Sequence, residues 1–343
     1  MTYQPIKTAG PLVSVIIPTY NYGALIGETL ESLRRQTLAE WECVVVDDGS
    51  ADDTAEVVAR AAESDPRFRY LRQQNQRQAV ARNTGLAAAR GRYVQLLDAD
   101  DFIESRKLER HAAYLESHPE VDIVYGGVRY FRTEEPGERL HAMGEVNRPW
   151  MPEVSGEGYE VLEALVRGNI MVVNSPLVRR SLVERVGPFD AGLPPAEDWD
   201  YWLRCALAGA RLQFLDEPDT LALVRAHATS SSRDRFRMYS AYLLIRDRLA
   251  ASLKDARLLA LNRELRAREE IDLAFVEAAR GRSLSAARHL AGAALGERRW
   301  RWRAKLLACA LAAPVVSEPR LRTLFSSSLT GSVRDLGRGG GAT

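Results

Sequence analysis

The chain has 343 residues, is 46% hydrophobic and 27% charged, and carries a formal net charge of +1. That length accommodates two domains, or one large α/β domain with an appendage, and the composition excludes a low-complexity or disordered chain. Three widely separated cysteines, Cys43, Cys205 and Cys309, form no C-x-x-C pair, which argues against a disulfide-stapled secreted scaffold and for a reducing compartment. Met1–Pro11 lacks the apolar core of a signal peptide, and the longest late apolar run, Leu306–Val316, has only 11 residues and contains Pro314. Neither segment predicts a membrane span.

Leu12–Ile17 is a continuous β-branched run ending at Pro18, the pattern of a strand covered on both faces. Ala24–Gln36 follows with apolar residues at 25, 26, 30 and 33, which is helical spacing. Trp41–Val46 is the next predicted strand, stopped by the turn cluster DDGS, and Asp52–Ala62 is a predicted helix with Asp52 or Asp53 near its cap. Phe68–Leu71 as a strand, Ala79–Arg90 as a helix and Tyr93–Leu97 as a strand continue the alternation, which signals βαβ units on a parallel sheet. Ligands of such sheets sit beyond the carboxyl ends of the strands. That singles out Tyr20 and Asn21, Asp47 and Asp48, and Asp98 to Asp101.

Downstream, the sequence predicts a helix from Asp101 to about Ser117, one strand over Val121–Tyr130 and a loop-rich stretch over 134–158. A helix over Tyr159–Arg167, a strand over Ser175–Arg179 and a short helix over Ser181–Val186 follow. A helix over Trp199–Ala208 and a last strand over Thr220–Arg225 complete the series. From Arg235 to about Ala313 the pattern is helical, and the Ser/Gly-rich tail 326–343 reads as flexible.

The strongest chemical signal is LLDADD at Leu96–Asp101, three carboxylates in four positions straight after an apolar strand. A hard divalent cation, Mg²⁺ or Mn²⁺, relieves their mutual repulsion and bridges to phosphate oxygens; helix capping is the alternative reading. DDGS at Asp47–Ser50 is a turn whose carboxylate can accept an N–H from a planar base on which Tyr20 stacks. A ligand gripped at both ends in this way is a nucleotide diphosphate. No G-x-x-x-x-G-K-[ST] or G-x-G-x-x-G loop is present to cradle its phosphates. In PAEDWDYWLR, Glu197 and Asp198 begin a helix carrying Trp199, Tyr201 and Trp202. Either they cap an amphipathic helix, or one carboxylate stands in an aromatic-lined pocket that raises its pKa and makes it a base. VRAH at Val224–His227 places a cation and an imidazole after the last strand.

In this order and spacing the chain resembles a family 2 glycosyltransferase with the GT-A nucleotide-diphospho-sugar transferase fold. The matching pieces are VSVIIPTYN (13–21), VVVDDGSADDT (44–54), ARNTGLAAARGRYVQLLDADD (81–101), VGPFDAGLPPAEDWDYWLR (186–204) and VRAHATSSS (224–232). The resemblance implies an α/β fold, a Rossmann-like mostly parallel sheet flanked by helices, with a C-terminal helical extension. It implies a catalytic domain over 1–232, divided into a nucleotide half at about 12–101 and an acceptor half at about 102–232, then a helical region over 233–325.

It further implies that Pro18, Tyr20, Asn21, Asp48, Arg82 and Asp98 hold the nucleotide, commonly uridine. Asp98, Asp100, Asp101 and His227 then surround Mn²⁺ or Mg²⁺, Arg225 contacts the diphosphate, and Asp198 with Glu197 forms the catalytic pair. The implied reaction is inverting transfer from a nucleotide-sugar donor to a saccharide or lipid-linked acceptor in cell-surface polysaccharide biosynthesis, in the cytoplasm. A sugar-nucleotide nucleotidyltransferase and a catalytically silent binding protein are the alternatives. One departure is Arg77 in NQRQAVARN, where the family often carries Gly.

The near-neutral total charge hides an asymmetry. Residues 280–338 hold twelve Arg and Lys against three acidic residues, a net +9. RRWRWRAK (298–305) interleaves these cations with Trp300 and Trp302 beside an apolar run. This is the composition of a helix lying on anionic lipid, and it predicts peripheral contact of 280–322 with the inner membrane face. The alternative is a terminal helix that packs its Trp and Leu residues. No nucleic-acid module accompanies the patch, so nucleic acid is not an expected partner.

Overall fold

The computed structural model describes residues 10–135, 137–142, 147–193, 195–226, 234–297 and 299–326, with Ser326 described by its backbone alone. The chain divides into two compact units, residues 1–228 and 229–343.

The first unit is built on β1 (Val13–Thr19), β2 (Trp41–Asp47), β3 (Phe68–Arg72) and β4 (Tyr93–Leu96), connected by α1 (Gly23–Arg34), α2 (Thr54–Ser64) and α3 (Gln78–Ala88). All residues of β1 and β2 are buried, as a sheet covered by helices on both faces requires. The unit continues through β5 (Phe102–Ile103), α4 (Lys107–Ser117), β6 (Ile123–Tyr125), β7 (Val128–Arg132) and α5 (Tyr159–Arg167). Next come β8 (Leu177–Arg179), α6 (Arg180–Val186), α7 (Glu197–Leu207), β9 (Leu212–Phe214) and β10 (Ala222–Ala226).

The main sheet has the order β3-β2-β1-β4-β8-β6-β9, with β8 antiparallel to its neighbours β4 and β6. β1 lies between β2 and β4, parallel to both. The crossovers leave β1 toward β2 and return to β4 on its other side, so the order reverses there. A crevice opens outside the carboxyl ends of strands at such a point. Ile26, Leu30 and Leu33 of α1 join Val15, Ile17, Val45 and Tyr93 of the sheet in the main core. Gly85 lets α3 lie directly on β1, because a Cβ there would stand 2.2 Å from Ile16 Cγ2. A second sheet, β5-β10-β7, pairs β10 parallel to β7 and antiparallel to β5.

Three expectations are corrected. No helix starts at Asp101: β5 intervenes and α4 begins at Lys107. The strand predicted over Val121–Tyr130 is two strands in different sheets, separated at Gly126–Gly127. A Cβ on Gly127 would meet Leu221 Cδ2 at 2.9 Å, so a larger residue where the chain changes sheets would require Leu221 to shift. Leu212–Phe214, unassigned from the sequence, pairs with β6 as an edge strand.

The second unit is helical: α8 (Arg235–Ser252), α9 (Ala256–Ala279), α10 (Ser283–Gly296), α11 (Trp300–Ala312) and α12 (Glu318–Ser326). Its core gathers Phe275, Leu290, Ala294, Leu306, Cys309 and Leu321. Among the described residues, no helix is long and apolar enough to cross a membrane. The tail 327–343 and His227 lie outside the described residues.

Candidate active site

At the carboxyl end of β4 the residues 98–101 are pinned by three residues distant in sequence. Asn174, 1% exposed in the turn before β8, accepts the Asp98 N–H through Oδ1 at 2.8 Å and donates through Nδ2 to Asp101 Oδ2. Thr29 of α1 donates to the Ala99 carbonyl at 2.8 Å. Arg225 donates its backbone N–H to Asp101 Oδ1 at 2.7 Å and its Nε–H to the Asp100 carbonyl at 2.9 Å. None of these carboxylates caps α4, so the capping reading has no geometric basis here. A loop fixed this way presents its side chains with little left to reorganise.

The three carboxylates are not equivalent. Asp101 is buried with both oxygens accepting, and its pKa is raised well above the usual range by burial, then by Asp100 and Asp98. Asp98 is more exposed and accepts from Arg82 Nη2 at 2.8 Å and Gln78 Nε2 at 2.9 Å. Asp100 stands between them, 9% exposed. The same field reaches Tyr22, whose phenol pKa is pushed up by burial and then by Asp100, Asp98 and Asp101. Sequence reasoning passed over Tyr22.

Across from this strip, α7 begins with Glu197 and Asp198. Arg82 of α3, 2% exposed, reaches Asp98 with one terminal nitrogen and Glu197 with the other. Burial works against its charge, but Asp98, Glu197 and Asp198 outweigh it, so the guanidinium pKa rises. Asp198, partly exposed, accepts from the Trp199 N–H at 2.8 Å and from Asn169 Nδ2 at 2.9 Å. Its pKa is raised to about 6, first by burial and then by Glu197, against the lowering pull of Arg82 and the two hydrogen bonds. Asn83, next to Arg82, holds the Phe189 backbone by two reciprocal hydrogen bonds of 2.8 Å. The ARN segment therefore ties the end of β4 to the approach and start of α7.

The three aromatics expected to line a pocket around this pair do not do so. Trp199, Tyr201 and Trp202 are all buried: Trp199 Nε1 donates to the Leu165 carbonyl at 2.8 Å, and Tyr201 stacks on Phe189 at 4.0 Å. They pack α7 in place.

At the far end of the crevice, Tyr20 follows β1 with 47% of its surface exposed. Pro18 is buried in β1 opposite Val46. Asn21 has φ +58° and links two turns: its N–H donates to Ser50 Oγ at 2.9 Å, and its Oδ1 accepts the Ala51 N–H at 2.8 Å. Asp48 accepts from Gln73 Nε2, Gln76 N–H and Arg77 N–H at 2.7, 2.9 and 2.7 Å. Arg77 has φ +73° and ψ 169°, a conformation that strongly favours glycine. The departure seen in the sequence thus falls where the backbone asks for glycine.

Arg225 is not at the rim. It is 3% exposed, pairs with Glu28 at 2.9 Å, and lies over the Phe102 and Phe131 rings at 5.1 and 4.8 Å. Among the described residues no three Asp, Glu, His or Cys side chains converge on a metal position. Sites of one or two carboxylates completed by substrate phosphate do not need such a cage. Asp98 and Asp100 suit that smaller set better than Asp101, which is buried and already accepts a hydrogen bond at each oxygen.

The family model described as "Glycosyl transferase family 2" matches residues 14–180. A PGL/p-HBAD biosynthesis glycosyltransferase of Mycobacterium bovis (strain BCG / Pasteur 1173P2) is 32% identical over 199 residues, covering 57% of this chain and 70% of that protein. The chain belongs to glycosyltransferase family 2. The uncharacterized glycosyltransferase EpsJ of Bacillus subtilis (strain 168) is 35% identical over 214 residues, 60% of this chain and 59% of EpsJ. The chain thus spans less than two thirds of that relative. Two solved structures share the fold. S. aureus TarS 1-349 in complex with UDP has TM-score 0.65 and 21% identity, covering 92% of this chain and 90% of that one. The mannosyltransferase PcManGT of Pyrobaculum calidifontis, in complex with GDP-Man and Mn2+, has TM-score 0.57 and 24% identity, covering 97% and 89%. The expected GT-A fold with a C-terminal helical region is therefore the fold of this family 2 chain.

Proposed function

We propose that the chain transfers a sugar from a nucleotide-diphosphate donor, a UDP-sugar first among them, to a hydroxyl of a saccharide or lipid-linked acceptor in cell-surface polysaccharide or glycolipid assembly. The observation that supports this reading is the buried Arg82 fork, which pairs with Asp98 through one arm and with Glu197, the neighbour of Asp198, through the other. Tyr20 stacks on the base, with Pro18, Asn21 and Asp48 shaping its seat. Asp98 and Asp100 hold a divalent cation, Mn²⁺ or Mg²⁺, which neutralises charge on the diphosphate when bound.

Asp198 accepts the proton of the acceptor hydroxyl. The oxygen forms its bond to the anomeric carbon as the carbon–oxygen bond to the diphosphate breaks on the opposite face. One displacement inverts configuration, and the nucleoside diphosphate leaves with the bonding pair. Residues 12–101 serve the donor and 102–232 the acceptor, while 280–322 touches the inner face of the cytoplasmic membrane.

Calorimetric titration of UDP, with Mn²⁺ and then with EDTA, tests the proposal. Binding should require the metal and weaken in Asp100→Asn. Absence of binding for UDP, GDP and dTDP alike overturns it. Among products, release of pyrophosphate in place of a glycosylated acceptor identifies a nucleotidyltransferase instead.

A further inference from the structure

The part of the basic and aromatic run that lies in α11, from Trp300 on, is divided between two faces of that helix. Leu306, Cys309 and Ala310 of α11 are buried in the core of the second unit. Trp302 packs toward Phe325 of α12 at 5.8 Å, with Lys305 Nζ over both rings at 5.4 and 5.2 Å. At 3.6 residues per turn the opposite face carries Trp300, Ala304, Leu307, Ala308 and Leu311, all exposed. Trp300 is 73% exposed, Leu311 81%, and Val315 just beyond the helix 83%. A helix apolar on both sides buries one in its own unit and leaves the other without cover.

Its flanks identify what covers it. Arg301 and Arg303 project from either side of the stripe, both exposed and, among the described residues, without an acidic partner. Arg301 lies 5.5 Å over the Trp300 ring. Arg299 is already paired with Glu297 at 2.8 Å. An apolar stripe with an aromatic at one end and arginines along both edges matches the boundary between acyl chains and anionic headgroups. A second copy of the chain would bring the same arginines against themselves. Single-stranded nucleic acid would want stacking aromatics where this face has Leu307 and Leu311.

We infer that the Trp300–Leu307–Leu311–Val315 face of α11 docks on an anionic lipid surface, with Arg301 and Arg303 on the headgroups. This rests on the reading that the chain contacts a membrane and assigns that contact to one face.

The test is co-sedimentation of the full chain with phosphatidylcholine vesicles containing or lacking phosphatidylglycerol. Wild type and Leu307→Glu/Leu311→Glu are compared, each checked by circular dichroism and UDP binding. Partition should favour the anionic vesicles and fall at least about tenfold in the double variant. Equal partition of a folded double variant overturns the assigned face and leaves membrane contact elsewhere on the chain. No partition of wild type overturns the contact itself. A wild-type dimer in solution that the double variant loses overturns lipid as the occupant. If the double variant misfolds, Arg301→Gln/Arg303→Gln, which leaves the packed face intact, should lose the preference for anionic over neutral vesicles; an unchanged preference overturns the headgroup contact.

Discussion

Replacing Asp198 by Asn should remove activity and increase stability in the same protein, and the two effects follow from one number. The Asp198 pKa is raised to about 6 from 3.8. Between those values the folded chain holds a proton that the unfolded chain has released, so stability falls as pH rises through that window. Two pH units correspond to about 3 kcal/mol at most, expressed in full above pH 6. Asn keeps the acceptor for the Trp199 N–H and carries no charge to desolvate, and the lost Asn169 hydrogen bond, about 1 kcal/mol, is smaller than that gain. Asp198→Asn should therefore unfold at higher denaturant than wild type at pH 7.5, the difference closing near pH 4. Loss of a positioned base should lower turnover by about 10²–10⁴. In wild type, kcat/KM for the acceptor should fall about tenfold per pH unit below 6, as the protonated carboxyl ceases to accept. Urea unfolding at both pH values and UDP release across pH 5–9 measure all three. Unchanged turnover in the variant refutes the role of base. An acid limb centred near 4, or a variant less stable at pH 7.5, refutes the electrostatic account of the site.

Two further perturbations probe its supports. Asn174→Ala deletes both contacts that hold Asp98 and Asp101 and leaves the buried Asp101 under-satisfied; it should cost about 1–3 kcal/mol and weaken metal-dependent UDP binding, and unchanged affinity in a folded variant would show that Asn174 has no part in placing Asp98 and Asp100. Arg77→Gly relieves a backbone strain of about 1–3 kcal/mol against a glycine entropy of about 0.5–1, so the urea midpoint should rise with its slope unchanged; a lower midpoint means the Arg77 side chain contributes more than its strain.

The parts of the site that are local in sequence were readable there. Asp98, Asp100 and Asp101 follow an apolar strand within four positions, and Glu197 and Asp198 open a helix. Periodicity and turn chemistry are sensitive to such neighbours. What they cannot register is a single polar side chain that acts across the fold. Asn174 and Asp101 are 73 residues apart, Arg225 and Glu28 are 197 apart, and Asn169 and Asp198 are 29 apart. Arg225 shows the converse failure: its place after a strand suggested the rim, whereas pairing of β10 with β5 and β7 buries it under Phe102 and Phe131. The Trp residues of α7 misled for a related reason. Their spacing reports that they are apolar, and burial decides whether they line a pocket or fill one.

The adjacent carboxylates Glu197 and Asp198 illustrate how one cation divides two like groups between two tasks. Arg82 presents a planar fork, so it can satisfy Asp98 and Glu197 at once where a lysine ammonium would offer a single point charge. Its charge offsets Asp98 and Glu197, the two carboxylates it touches. Asp198 lies outside the two Arg82 hydrogen bonds; burial raises its pKa first and the repulsion of Glu197 adds to that, against the lowering pull of Arg82. Burial and the neighbouring Glu197 together raise the proton affinity of Asp198 toward neutrality. That is the condition for a base at physiological pH, since a carboxylate of ordinary pKa binds protons too weakly to draw one from a sugar hydroxyl efficiently. On this argument Glu197 acts through Asp198, and the distance that matters for catalysis is set by α3, which carries Arg82, as much as by α7.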